Sequence, residues 1–331
     1  MDEFALIRFL LNKRGPAPAE VEVDAGDDAA VMKSEAGMST IFACDTMVET
    51  VHFLPETMQP EDIGWKCMAA NISDVAAMGG KPNYALVSLA VPETWKPEAL
   101  KQLYTGMHEI CRRFGTRVVG GDTVRSPQHL VVTISLMGSV ESGRSLLRST
   151  ARPGDVLFVT GELGGSAAGL HLMLREDRHL WMERYPGLVK AHRRPLPDVK
   201  AGRWLLQTGC TVSCDDVSDG LAHEAWEIAE ASGVRLVLDG ARLPLAEEVR
   251  SYAREIGQDP LEWALSGGED FHLVGTLPQA DWPRLHREAG RVGIRLFAVG
   301  RVEEGVPGVD CIVDGHRRER VQKGYNHFSN R

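Results

Sequence analysis

The chain has no apolar run approaching the length of a membrane span, which excludes a helical membrane anchor on hydropathy. Basic clusters are also missing. Lysine and arginine are scattered and outnumbered 37 to 46 by acids, for a net charge of -9, so no footprint for nucleic acid is expected. Cysteine is sparse: the six, at 44, 67, 111, 210, 214 and 311, make no CxxC pair. The opening "MDEFALIRFLLNKRG" carries acids ahead of its apolar residues, so it reads as an amphipathic helix and not a signal peptide. Together these predict a reduced, cytoplasmic protein without a disulfide framework. No GxxxxGK[ST] and no set of protein-kinase signatures occurs, so any nucleotide is held by another architecture.

What is present is ordinary globular material: 43% hydrophobic and 25% charged residues over 331, a length that suits two domains, each with its own core. β-Branched runs bounded by turn residues, "STIFACD", "YALVSLAV", "LVVTISLMGSV" and "VLFVTG", read as buried strands. Between them, "PEDIGWKCMAANISDVAAMG" and "PEALKQLYTGMHEICRRFG" begin at proline and end at glycine, the asymmetry of helix termini. The pattern predicts a mixed α/β fold of two domains, 1–150 and 151–331, divided at the turn Pro153-Gly154-Asp155.

Acids recur beside glycine or small residues: Asp27 and Asp28 in "DAGDDAAVM", Asp45 in "ACDTMVE", Asp74 in "NISDVAAMGG", Asp122 in "VVGGDTV", Asp215, Asp216 and Asp219 in "CDDVSDGLA", and Glu269-Asp270 in "LSGGEDFHL". Any one of them alone reads as a cap or turn residue, as Asp155 does, and Asp219 is placed to cap the helix that follows it. The set is what needs a reason. Asp74 falls late in a helix, three residues after Asn71 on the same face, where a cap has no role. Asp45 and Asp122 follow strand patterns, where ligand loops leave a sheet. Gathered carboxylates repel unless a hard cation sits among them, and Mg²⁺ is commonly shared between carboxylates and substrate phosphates. Other metals fit less well: "HEAWE" has Glu227 where a zinc protease needs a second histidine, and "DDVSDG" reaches Trp226 where a calcium loop needs glutamate.

Phosphate requires donors. "GELGGSAAGL" suits either a glycine-rich turn with amides facing an anion or close helix packing. In "VVGGDT", Gly120 and Gly121 permit close backbone approach just where Asp122 supplies a carboxylate. Arg148, in "SLLRSTARPGD", is either a surface arginine or a bidentate phosphate clamp.

The motifs "GDDAAV", "DTMVETVHF", "NISDVAAMGG", "GGDT", "LLRSTARPGD", "DVSDGLA", "SGGEDF" and "GYNHF", in this order over essentially the whole chain, resemble the thiamine-monophosphate kinases, a family of the aminoimidazole-ribonucleotide-synthetase-like superfamily. The resemblance implies an ATP-dependent kinase acting on thiamine monophosphate with Mg²⁺, working as a homodimer whose N-terminal domains form a shared β-barrel. It implies metal binding at Asp28, Asp45, Asp74, Asp122, Asp216 and Asp219. Nucleotide contacts fall on Tyr104, Gly121, Asp122, Arg148 and Ser218, and thiamine-phosphate contacts on His52, Glu269 and Phe328, preferred over Tyr325. Catalysis falls to Asp122, Arg148 and Asp219. Two departures stand out: Ala43 and Cys44 replace the family's usual hydroxyl residues, and Thr50 replaces the glycine of "VEGVHF". The rival readings are another ATP-dependent synthetase of the superfamily, a metal-dependent phosphatase, and a non-catalytic metal-binding protein.

Overall fold

The computed structural model describes residues 21–23, 30–33 and 36–320. The N-terminal helix expected from the opening residues, Asp27, Asp28, Tyr325 and Phe328 lie outside them. The first sheet has six strands: β1 (Val21–Val23), β2 (Ala30–Lys33), β3 (Met38–Val48), β4 (Lys81–Val91), β5 (Arg117–Arg125) and β6 (Val131–Glu141). Their order is β1-β2-β3-β6-β4-β5, and only the β4–β5 pair is parallel. Two helices predicted from their proline and glycine ends, α1 (Pro60–Ala77) and α2 (Pro97–Phe114), belong to this half.

In β3 burial alternates: Ile41, Ala43 and Met47 face the core, while Phe42, Cys44 and Thr46 are exposed. The strand is therefore half covered. On the uncovered side, Phe42, Tyr84, Leu86 and Met137 are exposed, from the three neighbouring strands β3, β6 and β4. α1 has no such open side; every residue from Asp62 to Ala77 except the half-buried Asp74 is buried, because α2, the sheet and the second half of the molecule surround it. Two glycines permit this. A Cβ on Gly64 would stand 1.9 Å from the Leu103 carbonyl oxygen, and one on Gly106 1.8 Å from that of Glu61, so the two helices meet backbone to backbone.

The second sheet has seven strands: β7 (Asp155–Val159), β8 (Ser213–Asp216), β9 (Arg235–Asp239), β10 (Leu273–Pro278), β11 (Phe297–Glu303), β12 (Gly308–Val313) and β13 (His316–Arg320). They run in the order β13-β12-β9-β11-β7-β10-β8. Helices α3 (Gly165–Met173), α4 (Arg178–Arg184), α5 (Pro186–Arg193) and α6 (Val199–Gln207) link β7 to β8, and α7 (Leu221–Ser232) follows β8 directly. Then come α8 (Glu247–Ile256), α9 (Pro260–Ser266) and α10 (Trp282–Arg291). One apolar cluster runs from the first sheet through α1 to Phe158, Leu205 and Leu273, so α1 is shared by both halves. No helix among the described residues is long and apolar enough to cross a membrane.

Candidate functional site

Asp45 and Asp122 lie within strands, not after them. β5 carries on through Gly120 and Gly121 because β4 pairs with it as far as Val91, and backbone pairing needs no side chains. Asp45 lies opposite Ile134, Ile134 opposite Val87, and Val87 opposite Gly121, one row across the sheet. At 4.7–4.9 Å per strand this separates Asp45 from Gly121 by roughly 14 Å. A Cβ on Gly121 would stand 1.8 Å from the Val87 carbonyl oxygen, so only glycine fits that approach. Asp122 is exposed, as are Gly120, Gly121 and Thr123, and its Oδ1 accepts from the Thr123 amide at 2.8 Å. Tyr104, on α2, is half-buried, and burial raises its phenol above the usual range.

The half-buried Asp45 is tied to α1: its amide donates to Asn71 Oδ1 at 3.1 Å. Asp74 follows one turn later, half-buried. His52 sits in the turn after β3, where its Nδ1 accepts from the Val48 amide at 2.9 Å. The preceding Thr50 has φ +71°, the left-handed region in which a glycine is the easier fit.

The second half of the site is buried. Asp215 and Asp216 end β8 at 0% and 1% exposure. Arg148 grips Asp215, with Nε at 2.7 Å from Oδ2 and the Nη2 hydrogen bond to Oδ1 at 3.0 Å, and Glu227 stands 3.6 Å from its Nη1. Arg148 is therefore no loose surface arginine. The loop then presents Ser218 and Asp219, both bonded to Glu224 Oε1: the Ser218 hydroxyl donates at 3.2 Å and the Asp219 amide at 2.9 Å. Asp219 does not cap α7; Gly220 occupies that position. Burial, then the charges of Asp219 and Asp216, hold Glu224 well above the usual carboxylate range despite Arg148.

Ligand atoms of Asp219, His223 and Glu224 lie within 4.8 Å of one another. Two carboxylates held this close, with Asp216 beside them, form the hard oxygen set that suits a divalent cation, and the strain on Glu224 is what such a cation relieves. The residues present fit Mg²⁺.

The "SGGEDF" loop is laced onto this one. The Glu269 amide donates to the Ser218 carbonyl at 2.7 Å and the Phe271 amide to that of Val217 at 3.0 Å. Its two acids part company. Asp270 turns inward, accepting from the Gly164 and Ser166 amides at 2.6 and 3.1 Å, and burial pushes it up to about 6. The glycine-rich turn ahead of α3 thus spends these amides on the protein's own carboxylate. Its glycines also pack: a Cβ on Gly169 would stand 2.1 Å from the Leu188 carbonyl oxygen. Glu269 turns the other way, to the wholly buried Lys66 of α1 at 2.5 Å. The Cys67 thiol, pushed up to about 12 chiefly by burial, also feels Lys66, Glu269 and Asp45, so Asp45 and Glu269 approach the same stretch of α1.

The structure therefore assembles Arg148, Asp216, Ser218, Asp219 and Glu269 on adjoining segments, with Asp45 beside α1 and Asp74 on it. Asp122 and Gly121 stand on the exposed edge strand β5, and Tyr104 stands on α2, half-buried against the core. Sequence reasoning missed Lys66, Asp215 as the partner of Arg148, and Glu224. Lys66 had a signal, a lone lysine inside the apolar helix segment "GWKCMAAN".

Profiles of AIR synthase related proteins match the chain twice: the N-terminal domain over residues 26–140 and the C-terminal domain over 152–311. A thiamine-monophosphate kinase of Bacillus subtilis (strain 168) is 42% identical over 99% of this chain and 100% of its own length. That of Escherichia coli (strain K12) is 33% identical over 99% and 98%. A solved structure of AaThiL complexed with AMPPCP and TMP superposes with a TM-score of 0.84 at 34% identity, covering 99% of this chain and 97% of that one.

Proposed function

The chain belongs to the thiamine-monophosphate kinase family, and on that premise we propose that it transfers the γ-phosphoryl group of ATP to the phosphate of thiamine monophosphate, giving thiamine diphosphate and ADP. The observation that carries this is end-to-end similarity to a protein solved with an ATP analogue and TMP together. The cytoplasm, where ATP is made, is the compartment this reaction fits.

The acceptor is a phosphate oxygen, largely ionised near neutral pH because its second pKa is about 6. A strong general base is therefore unnecessary. What remains is to hold two anions in line and offset their repulsion. When bound, Mg²⁺ neutralises charge on the transferring phosphates. In this reading Asp45, Asp74, Asp122, Asp216 and Asp219, with Asp28, would hold several Mg²⁺ ions and not one, since Asp45 stands roughly 14 Å across the sheet from Gly121, and Glu224 belongs with Asp219. Arg148, oriented by Asp215 through its Nε and Nη2, would turn its Nη1 edge to phosphate, and the exposed backbone of β5 at Gly121 would lie beside the nucleotide. Tyr104 and Ser218 complete the nucleotide side; His52, Glu269 and Phe328 take the thiamine phosphate. Direct in-line transfer, without a phosphoenzyme, suits a site whose acids are committed to metal and to Lys66.

A homodimer belongs to the same proposal, with the N-terminal domain at 1–150 and the C-terminal domain at 151–331. Its support is the uncovered face bearing Phe42, Tyr84, Leu86 and Met137, which a second copy would cover to form a shared barrel next to Asp122. Sedimentation at the mass of one chain would remove this part.

The deciding experiment incubates the full chain with Mg-ATP, with and without thiamine monophosphate, and follows ADP and thiamine diphosphate by chromatography. Thiamine diphosphate should appear in step with ADP and only with acceptor. ADP with free phosphate would point to a phosphatase or another synthetase of the superfamily, and metal binding without turnover to a binding protein.

A further inference from the structure

Lys66 is among the largest wholly buried side chains of the molecule, and its partner Glu269 lies 203 residues away in the chain. Lysine is almost never buried without a partner, and a buried pair returns little net stability: apolar residues of similar volume serve as well or better. Stability is therefore a poor reason for a charge at the middle of α1. Position is a better one.

The surroundings direct that ammonium to one carboxylate. Lys66 Nζ stands 2.5 Å from Glu269 Oε2 and 3.1 Å from His192 Nε2, and His192 Nδ1 stands 3.1 Å from Ser166 Oγ. Burial, and then the Lys66 charge, keep His192 far below its ordinary pKa, so it is a neutral acceptor at Nε2 and a donor to Ser166 at Nδ1. His192 thus satisfies a second ammonium proton without bringing a second negative charge, and Glu269 alone balances Lys66. Glu269 in turn is not wholly sealed; 26% of its side chain remains open.

The backbone of Glu269 has φ +66° and that of Phe271 φ +53°, both in the left-handed region. Such conformations persist only where the surroundings over-determine them. Here the amide bonds to Val217 and Ser218 hold the loop from one side and Lys66 holds the side chain from the other. We propose that Lys66 is a positioning residue for the acceptor substrate: by fixing Oε2 of Glu269 it aims the carboxylate's remaining face at a bound cationic, amino-bearing heterocycle. This rests on the proposed kinase reading, in which Glu269 meets the thiamine moiety. Thiamine carries a permanent thiazolium charge and an aminopyrimidine, and an oriented carboxylate recognises either through charge or an N–H hydrogen bond. Because Lys66 balances part of the charge, orientation is the larger contribution, and it concerns the acceptor and not ATP.

The test is a double-mutant cycle on the full chain, reading KM for thiamine monophosphate and for ATP separately. Lys66→Met should raise KM for thiamine monophosphate about tenfold or more, the scale of a lost hydrogen bond to a charged group, with KM for ATP changed less than about twofold. In a Glu269→Gln background the same change should add less than about twofold. Lys66→Arg, which keeps the charge, should recover part of the loss, and it carries the test if Lys66→Met does not fold. Equal rises in both KM values, or effects that simply add, overturn the proposal. Wild-type turnover of thiamine monophosphate with Lys66→Met indistinguishable from it overturns this inference alone; a wild-type chain that neither binds nor turns over thiamine monophosphate overturns the kinase reading with it.

Discussion

Asp216, at the end of β8, and Glu224, in the first turn of α7, are at 1% and 2% exposure, whereas Asp122 stands on an edge strand exposed without a break from Val119 to Arg125. Both belong to the proposed site, yet solvent treats them oppositely. In the buried half the electrostatic cost is permanent: Glu224 is held above its ordinary range whether or not anything is bound. In the open half water screens Asp122, and its charge costs nothing until a ligand or a second copy of the chain excludes that water. One half is preorganised, and in the proposed dimer the other would be completed by the second copy. The arrangement suits a reaction in which two charged substrates must be brought together from solution.

The largest effect should come from the open half. Asp122→Asn removes one charge from an exposed position with no buried packing, so the melting temperature should move by no more than about 1 °C. Loss of a metal-holding carboxylate should nevertheless lower kcat with Mg-ATP by roughly a hundredfold or more. A variant with normal kcat would remove Asp122 from the metal set and leave the buried half as the entire site.

Glu224→Gln probes the other side of the comparison. A carboxylate whose folded-state pKa is raised stabilises the fold while protonated, and that contribution is lost as pH rises above the unfolded value of about 4.3. Metal-free wild type should therefore lose stability relative to Glu224→Gln between about pH 5 and pH 8. Calorimetry should find the glutamine variant ahead by a few °C at pH 8 and the gap closed at pH 5. Mg²⁺ should restore the wild type and not the variant. Parallel pH profiles would mean that Glu224 is already matched by Arg148, and the buried half would carry no stored cost.

These residues were not equally legible in the sequence. The long strands and the helices α1 and α2 could be read, because β-branched runs and proline-in, glycine-out ends are local signals. The acids of the site stood out because each sat beside glycine or small residues. What local pattern does not carry is pairing: β5 reads as ending at Gly120-Gly121, and only its alignment along β4 keeps Asp122 inside the strand. Nor does it carry burial at a distance. Lys66 reads as one polar residue of a helix until Glu269 arrives from the far end of the chain, and Glu269 and Asp270 read as a pair until the fold sends one to Lys66 and the other to the start of α3. Asp215 looked like a neighbour of a ligand and is the grip on Arg148.

The smallest effect concerns strain. Glu269, at φ +66°, is secured by its amide bond to Ser218 and by Lys66, so its conformation is determined by the buried half around it. Thr50, at φ +71° in the exposed turn that carries His52, is secured by an amide bond to the Phe53 carbonyl at 2.9 Å, and its side chain is exposed. A β-branched residue in that region costs roughly 1–2 kcal/mol, and a glycine returns about 0.5–1 kcal/mol of that through its greater freedom in the unfolded chain. The strain is the larger quantity, so Thr50→Gly should be more stable than wild type by about 0.5–1 kcal/mol, a rise of roughly 1–4 °C in melting temperature. The equivalent change at Glu269 should gain nothing, because it also breaks the bond to Lys66. If Thr50→Gly instead melts lower, the threonine is repaid by a contact made in this turn, and the open half is as firmly determined as the buried one.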